Sequence, residues 1–255
     1  MKKPIILVTN DDGIYAPGIH ALVEALSDIG TIKVVAPLSE MSAVGHAITL
    51  SDPLRVKEIE LDGRFLGLAV NGTPADCVKL ALSCLLESMP DIIVSGINAG
   101  SNTATNVIYS GTVSAAAEGV VYGIPSIAVS LTSFTYKDFE YAAKVARHIT
   151  SQVLLNGLPK RTILNVNVPA VPETQIKGIR ATRQGKGRYE EEFDKRRDPQ
   201  GRTYYWMAGK RVILDTDEDV DDIAISNNYV AVTPIQYDLT HHSFLKDLTQ
   251  WKLKP

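Results

Sequence analysis

The stretch Val8-Thr9-Asn10-Asp11-Asp12-Gly13 closes an apolar run, Ile5 to Val8, with two adjacent carboxylates and a glycine. A short β-branched run broken by Asn, Asp and Gly reads as a buried strand entering a turn. In an open α/β sheet such a turn lies at the strand's carboxyl end, where these sheets hold their ligands. Neighbouring carboxylates repel, so the pair is costly unless a cation or hydrogen-bond donors compensate it. The same residues also suit a plain turn or a helix N-cap.

Outward from this point, β-rich apolar runs alternate with helical patterns through the first two thirds of the chain, the signature of parallel strands joined by helical crossovers. The pattern predicts strands at Ile5 to Thr9, Ile32 to Ala36, Ile92 to Ser95, Ser126 to Ser130 and Thr162 to Val168. Apolar residues at three-to-four spacing predict helices at Gly18 to Ile29, Ala75 to Glu87, Thr112 to Tyr122 and Phe139 to Leu155, enough to cover both sheet faces. Leu54 to Val70 alternates around Asp62-Gly63, as a β-hairpin beside the main sheet does. From Gln184 the character changes. Gly185 to Arg202 is too polar for core, Thr203 to Trp206 and Lys210 to Leu214 read as the strands of a hairpin, Tyr229 to Ile235 as a return strand and His242 to Leu253 as a final helix. The chain thus divides into a core, 1–183, and a C-terminal extension, 184–255, within one structural unit. The aromatic cluster Tyr204-Tyr205-Trp206 on a polar-tipped arm suits an oligomer contact.

Apolar residues are 45% of the 255 and charged ones 22%, so a full core can be buried. With 26 basic and 29 acidic side chains the formal charge is −3, which leaves no electrostatic footprint for a nucleic-acid duplex or an anionic membrane and favours a small-molecule partner. The apolar run at the N-terminus is too short for a signal segment, and no stretch approaches the about 18 uninterrupted apolar residues of a membrane span. A cytoplasmic location is expected. Cys77 and Cys84 lie on one predicted helix about 10 Å apart, too far to bridge, and read as buried apolar fillers.

Three further constellations fall at the same predicted sheet edge. After Val35-Ala36-Pro37 come Ser42, Gly45 and His46, beside Asp11 if the first two strands are neighbours. Ser42 offers a hydroxyl oxygen; His46 offers an acid or a phosphate contact, or simply a structural hydrogen bond. After the strand at Ile92 comes Ser95-Gly96-Ile97-Asn98-Ala99-Gly100-Ser101-Asn102, where glycines permit close backbone approach and the amides of Asn98 and Asn102 can meet a cation or phosphate oxygens. Tyr109-Ser110-Gly111-Thr112 opens a helix, and helix N-termini bind phosphate through unpaired N–H groups and the dipole. Taken singly, these are also ordinary turns and caps. Together, carboxylates with amide and hydroxyl oxygens suit a hard cation such as Mg²⁺ or Mn²⁺, and nothing suggests structural zinc. Thr73-Pro74 reads as a helix start, and the acidic run Asp215 to Asp222 as a solvated turn or helix start.

The assembled blocks VTNDDGI, VVAP with SAVGH, NGTPADCV, SGINAGSN with YSGTVSAAAEG, YYWMAG and YVAVTPIQYDLT span nearly the whole chain, and in their order resemble the survival protein SurE family of 5′/3′-nucleotidases. The resemblance implies a Rossmann-like core with a C-terminal β-hairpin arm used in homodimer or homotetramer assembly. It implies one divalent metal ion per subunit, held by Asp11, Asp12, Ser42 and Asn98. It also places the substrate phosphate against Asn98, Asn102, Ser110, Gly111 and Thr112, with Gly45 and His46 bordering the pocket. Leu38 and Met41 depart from residues usual in that family where substrate preference is concerned, and Ala104 and Asn106 depart at positions that are not ligands.

The expected activity is hydrolysis of nucleoside 5′- and 3′-monophosphates to nucleoside and phosphate, with Asp11, Asp12 and Asn98 as the catalytic residues. The cation would polarise a phosphate oxygen and the attacking water, and one aspartate would accept the water's proton. Attack by Asp11 itself is a chemical variant. The alternative from another class is a nonenzymatic nucleotide or phosphate sensor of receiver-like α/β type. A phosphoacceptor receiver needs an acceptor Asp after its third strand, where Asn98 stands, and a Lys after its fifth, where Ser130 is followed by Leu-Thr-Ser.

Overall fold

The computed structural model describes residues 3–61, 63–136, 138–251 and 253. Strands β1 (Ile5–Thr9), β2 (Thr31–Pro37), β3 (Val56–Leu61), β4 (Arg64–Val70), β5 (Ile92–Ala99), β6 (Ser126–Leu131), β7 (Thr162–Val168), β8 (Gly178–Ala181) and β11 (Tyr229–Gln236) form one sheet in the order β3-β4-β2-β1-β5-β6-β7-β11-β8. Strands β9 (Arg188–Arg197) and β10 (Thr203–Val212) form a separate two-stranded ribbon. The centre of the main sheet is parallel, β1 pairing with β2 and β5, β5 with β6, and β6 with β7; β3 and β11 run antiparallel to β4 and β7.

Central strands buried on both faces need apolar side chains pointing both ways, and β1 supplies them. Ile6 and Val8 pack with Ile19, Leu22 and Leu26 of α1 (Pro17–Leu26) and with Val145 and Ile149 of α4 (Glu140–Asn156). Leu7 points the other way, into a cluster with Cys77 and Val78 of α2 (Pro74–Leu80) and Ala115 of α3 (Gly111–Val121). Helices therefore cover both faces, as expected. Each fully buried aliphatic of this kind contributes about 1.5–3 kcal/mol relative to exposure.

Several expectations change in detail. The hairpin Val56–Leu61 with Arg64–Val70 joins the main sheet through β4 and β2 instead of standing beside it; Asp62 of its turn lies outside the described residues. The helix expected at Ala75 to Glu87 is α2 followed by a π-helical turn, Ala81–Leu85, which leaves Cys84 exposed while Cys77 is buried. The arm is built from different strands than expected. Thr203 to Leu214 does not fold back on itself: Thr203–Val212 is one strand, paired along its length with Arg188–Arg197. That segment is too polar for a core, and it instead pairs as a solvated ribbon through its ladder and cross-strand pairs such as Lys195 over Tyr205. Two short helices complete the chain, α5 (Asp221–Ser226) and α6 (His242–Leu248); the latter is shorter than the expected His242 to Leu253, of which Lys252 lies outside the described residues.

The sheet order sets the position of the site. From β1 the chain runs to β2 on one side and returns to β5 on the other, so the carboxyl ends of β1 and β5 flank the point where the winding reverses.

Candidate active site at the carboxyl edge of the sheet

The turn after β1 is shaped by its own residues. Asn10 Nδ2 donates to the Gly13 carbonyl at 2.9 Å, Gly13 takes φ +97°, and Ile14 N–H donates to the Pro37 carbonyl at 2.8 Å. Asp11 is thereby turned inward and buried. Its Oδ1 accepts the Thr112 hydroxyl proton at 2.5 Å, from the first turn of α3. Burial pushes the Asp11 carboxyl up to about 6; the Thr112 hydroxyl opposes that rise and the charge of Asp12 adds to it. Gly111 is what lets α3 come so close: a Cβ there would lie 2.8 Å from Asp11 Cβ and 3.0 Å from its Oδ2. Asp12 turns to β5, where its Oδ2 accepts the Ala99 N–H at 2.9 Å.

Asn98 reaches this point because β5 does not stop at Ser95. The strand continues to Ala99 with a register shift between Ser95 and Asn98. Gly96 makes the shift, with φ +141° and a position where a Cβ would stand 2.4 Å from the Val129 carbonyl oxygen. The Asn98 amide nitrogen donates to the Gly100 carbonyl at 2.6 Å, which leaves Oδ1 as the atom to meet a cation. Below these residues, buried oxygens of Thr9, Asn10 and Ser95 have no hydrogen-bond partner among the described residues, and Thr9 and Ser95 are register partners.

Asp11, Asp12, Asn98, Gly111 and Thr112 are thus brought together. Ser110 caps α3, its oxygen accepting the Val113 N–H at 3.1 Å, so its hydroxyl proton remains free to donate. Ser42 lies on the loop whose Met41 N–H donates to the Asp11 carbonyl at 2.7 Å; its own exposed hydroxyl donates to Glu40 at 2.7 Å. Gly45 N–H donates to the Tyr109 carbonyl at 3.1 Å, which docks this loop on the start of α3. His46 Nε2 meets Glu118 Oε2 at 2.9 Å, and Asn102 is buried with its amide nitrogen donating to Ser130 Oγ at 2.9 Å. Both have partners within the protein.

Two groups escaped the reading of the sequence. Glu118 is buried in α3, paired with His46 and with Lys79 Nζ at 2.7 Å; burial raises its carboxyl, but these two partners outweigh burial and hold it below the ordinary range. A lone acid within Ala115-Ala116-Ala117-Glu118-Gly119 is the signal that marks it. The acidic run at 215–222 does begin a helix, but Asp221 and Asp222 are buried, not solvated. Asp221 accepts the backbone N–H groups of Ala104, Gly185 and Asp222, and Asp222 pairs with Arg211.

The donor set fits a hard divalent cation: two adjacent carboxylates, one buried, an amide oxygen, and a glycine that keeps the approach to Asp11 clear. A model of the family described as survival protein SurE matches residues 6–191. The chain belongs to the SurE family. A protein named 5′-nucleotidase SurE from Chlorobium phaeobacteroides is 52% identical over 254 residues, covering 100% of this chain and 98% of that protein. One of the same name from Christiangramia forsetii is 51% identical over 255 residues, covering 99% and 98%. The crystal structure of the SurE protein from Aquifex aeolicus superposes with a TM-score of 0.84 at 44% identity, over 97% of this chain and 99% of that one. The α/β fold with its C-terminal ribbon is therefore the SurE fold.

Proposed function

We propose that this SurE protein is a phosphoric monoester hydrolase of the 5′-nucleotidase type, releasing phosphate from nucleoside 5′- and 3′-monophosphates. The observation that carries this reading is that Asp11 lies against the start of α3 while its neighbour Asp12 is tied to β5 next to Asn98, at the sheet's reversal point. The shared name of its relatives supports it. Asp11, Asp12, Asn98 and Ser42 would hold one divalent cation, Mg²⁺ or Mn²⁺, with Ser42 turning from Glu40 to join them. A bound cation of this kind supplies Lewis-acid polarisation of a phosphate oxygen and of water.

The chain's own residues do the rest. The Ser110 hydroxyl and the Gly111 N–H would donate to the phosphate oxygens at the positive end of α3, together with the Asn98 amide from β5, while Thr112, whose N–H and hydroxyl both face Asp11, would hold that carboxylate beside them. The water oxygen would form the new bond to phosphorus as the ester P–O bond breaks, and the departing nucleoside oxygen would take a proton from the solvent, to which the aspartate returns the one it accepted. One of the two aspartates takes the proton that the water loses. Gly45 and His46, docked through Tyr109 and Glu118, border the pocket, and Asn102 braces the loop beyond Asn98.

Residues 1–183 form the catalytic core and 184–255 the extension, within one unit because β11 of the extension lies between β7 and β8 of the core. Exposed Tyr205, Trp206 and Met207 on the arm support a homodimer or homotetramer. Two free cysteines suit the cytoplasm; no helix among the described residues is long and apolar enough to cross a membrane. The test is a phosphate-release screen of nucleoside 5′- and 3′-monophosphates with Mg²⁺, Mn²⁺, Co²⁺ or a chelator. Metal-dependent release is expected; binding of mononucleotides without release would favour a sensor instead.

A further inference from the structure

Beyond Asn98 the chain runs through Gly100 into Ser101 to Thr105, and this loop is held from its outer side by the C-terminal extension. Ala104 N–H donates to Asp221 at 3.0 Å, its carbonyl accepts Gln184 Nε2 at 2.7 Å, and the Thr105 hydroxyl donates to the Gly187 carbonyl at 2.8 Å. Arg211, at the root of β10, completes the hold. One guanidinium nitrogen donates to Ser101 Oγ at 2.6 Å, and the other to Thr103 Oγ1 and to the buried carboxylate of Asp222. A planar fork with five donors can span three acceptors on two elements, whereas an ammonium group cannot reproduce that geometry. Ser101 follows Gly100, whose carbonyl receives the Asn98 amide, so the placement of Ser101 bears directly on the amide that faces the reacting phosphate.

We propose that Arg211 is a positioning residue: from the root of the arm it fixes the loop that aims Asn98, and so makes the extension part of the active site. This rests on the reading of Asn98 as a phosphate- and cation-facing group. The competing role for Arg211 is simple neutralisation of Asp222, one of whose oxygens has no hydrogen-bond partner among the described residues. Loss of a group that orients a catalytic residue costs on the order of tenfold or more in activity.

The two roles separate in the full-length protein through Arg211→Lys and the double variant Arg211→Met with Asp222→Asn, which removes the buried charge together with its partner. Circular dichroism melts report folding, hydrogen exchange reports the 98–105 segment, and phosphate release from a nucleoside 5′-monophosphate with Mn²⁺ reports kcat and KM. Both variants are expected to fold, to exchange faster across 98–105, and to lose on the order of tenfold in kcat/KM, mostly in kcat. Wild-type exchange and kcat in either folded variant would overturn the proposal, since charge neutralisation would then suffice. If the double variant fails to fold, the lysine variant decides. If the wild-type protein itself releases no phosphate from any nucleoside monophosphate, the proposed function fails, while the exchange comparison still judges Arg211.

Discussion

Asp11 sits beneath the first turn of α3, and its carboxyl is held up to about 6 by that burial, against an ordinary value of 3.8. Because the folded value is the higher one, ionising Asp11 costs the fold stability above pH about 6, and the cost disappears below the unfolded value near 3.8. In chelator at pH 7, Asp11→Asn is therefore expected to leave folding intact and to raise stability by on the order of 1–3 kcal/mol in a urea titration, whereas with Mn²⁺ supplied it is expected to abolish the phosphate release that the wild type shows. Retained activity would remove Asp11 from the site. Gly111 carries a complementary prediction. A methyl group there would meet Asp11 Cβ at 2.8 Å and Pro74 Cγ at 3.1 Å, so Gly111→Ala should push the helix start from the carboxylate. The expected cost is about 1–3 kcal/mol in thermal or urea unfolding, with a loss of activity beyond what the unfolded fraction explains.

Among the secondary-structure elements, α2 bears on the site through its cap. Thr73 and Asp76 form a capping box, and Asp76 also accepts the N–H and hydroxyl of Thr49 at 3.0 and 2.6 Å, while the Thr73 hydroxyl donates to the Ala47 carbonyl at 2.7 Å. The loop that carries Ser42, Gly45 and His46 is thus tied to the starts of α2 and α3 by polar bonds. Burial raises the Asp76 carboxyl, but the hydrogen bonds from Thr49 and Thr73 outweigh it and hold the group below 3.8. Its contribution is then fully present above pH about 4 and is lost as pH falls through the lower, folded value. Asp76→Ala should destabilise by about 1–2 kcal/mol at neutral pH. The gap from wild type in urea midpoints should narrow only below pH about 4, and a constant gap across that range would show that the charge of Asp76 plays no part.

For the complete chain, the outer part of the arm is covered by no other element among the described residues. Beyond its root, where Arg211 holds the 101–103 loop, the ribbon pairs along its length, and Tyr205, Trp206, Met207 and Phe193 are all more than half exposed. An isolated two-stranded ribbon is marginal in water, and exposed aromatics on both its faces, Tyr205 with Phe193 on one and Trp206 on the other, are what an interface buries. Tyr205→Glu with Trp206→Glu should convert an oligomer to a smaller species by light scattering, and should lower the thermal midpoint measurably. An unchanged mass would place the subunit contact elsewhere, for example on α6, where Phe244 and Leu245 are also exposed.

The alternation of apolar runs places the five central strands, because a strand buried on both faces is mostly apolar and admits few polar residues, such as Asn165 and Asn167, which donate to the Asn102 carbonyl. The carboxylates of Asp11 and Asp12 were legible for the same reason, as charges set where the apolar run stops. Asn98 was legible as a residue type, but its place in a bent strand was not, since the register shift depends on Gly96 lying against the Val129 carbonyl. The ribbon was misread in its pairing, because solvated strands carry no burial pattern to mark them. Glu118, Arg211, Asp221 and Asp222 look like ordinary surface charges along the chain. Their roles come from partners 72 residues away for Glu118, 110 for Arg211 and 117 for Asp221. Local composition records what a residue can bury or ionise; which distant group compensates it is set only when the sheet order brings the two together.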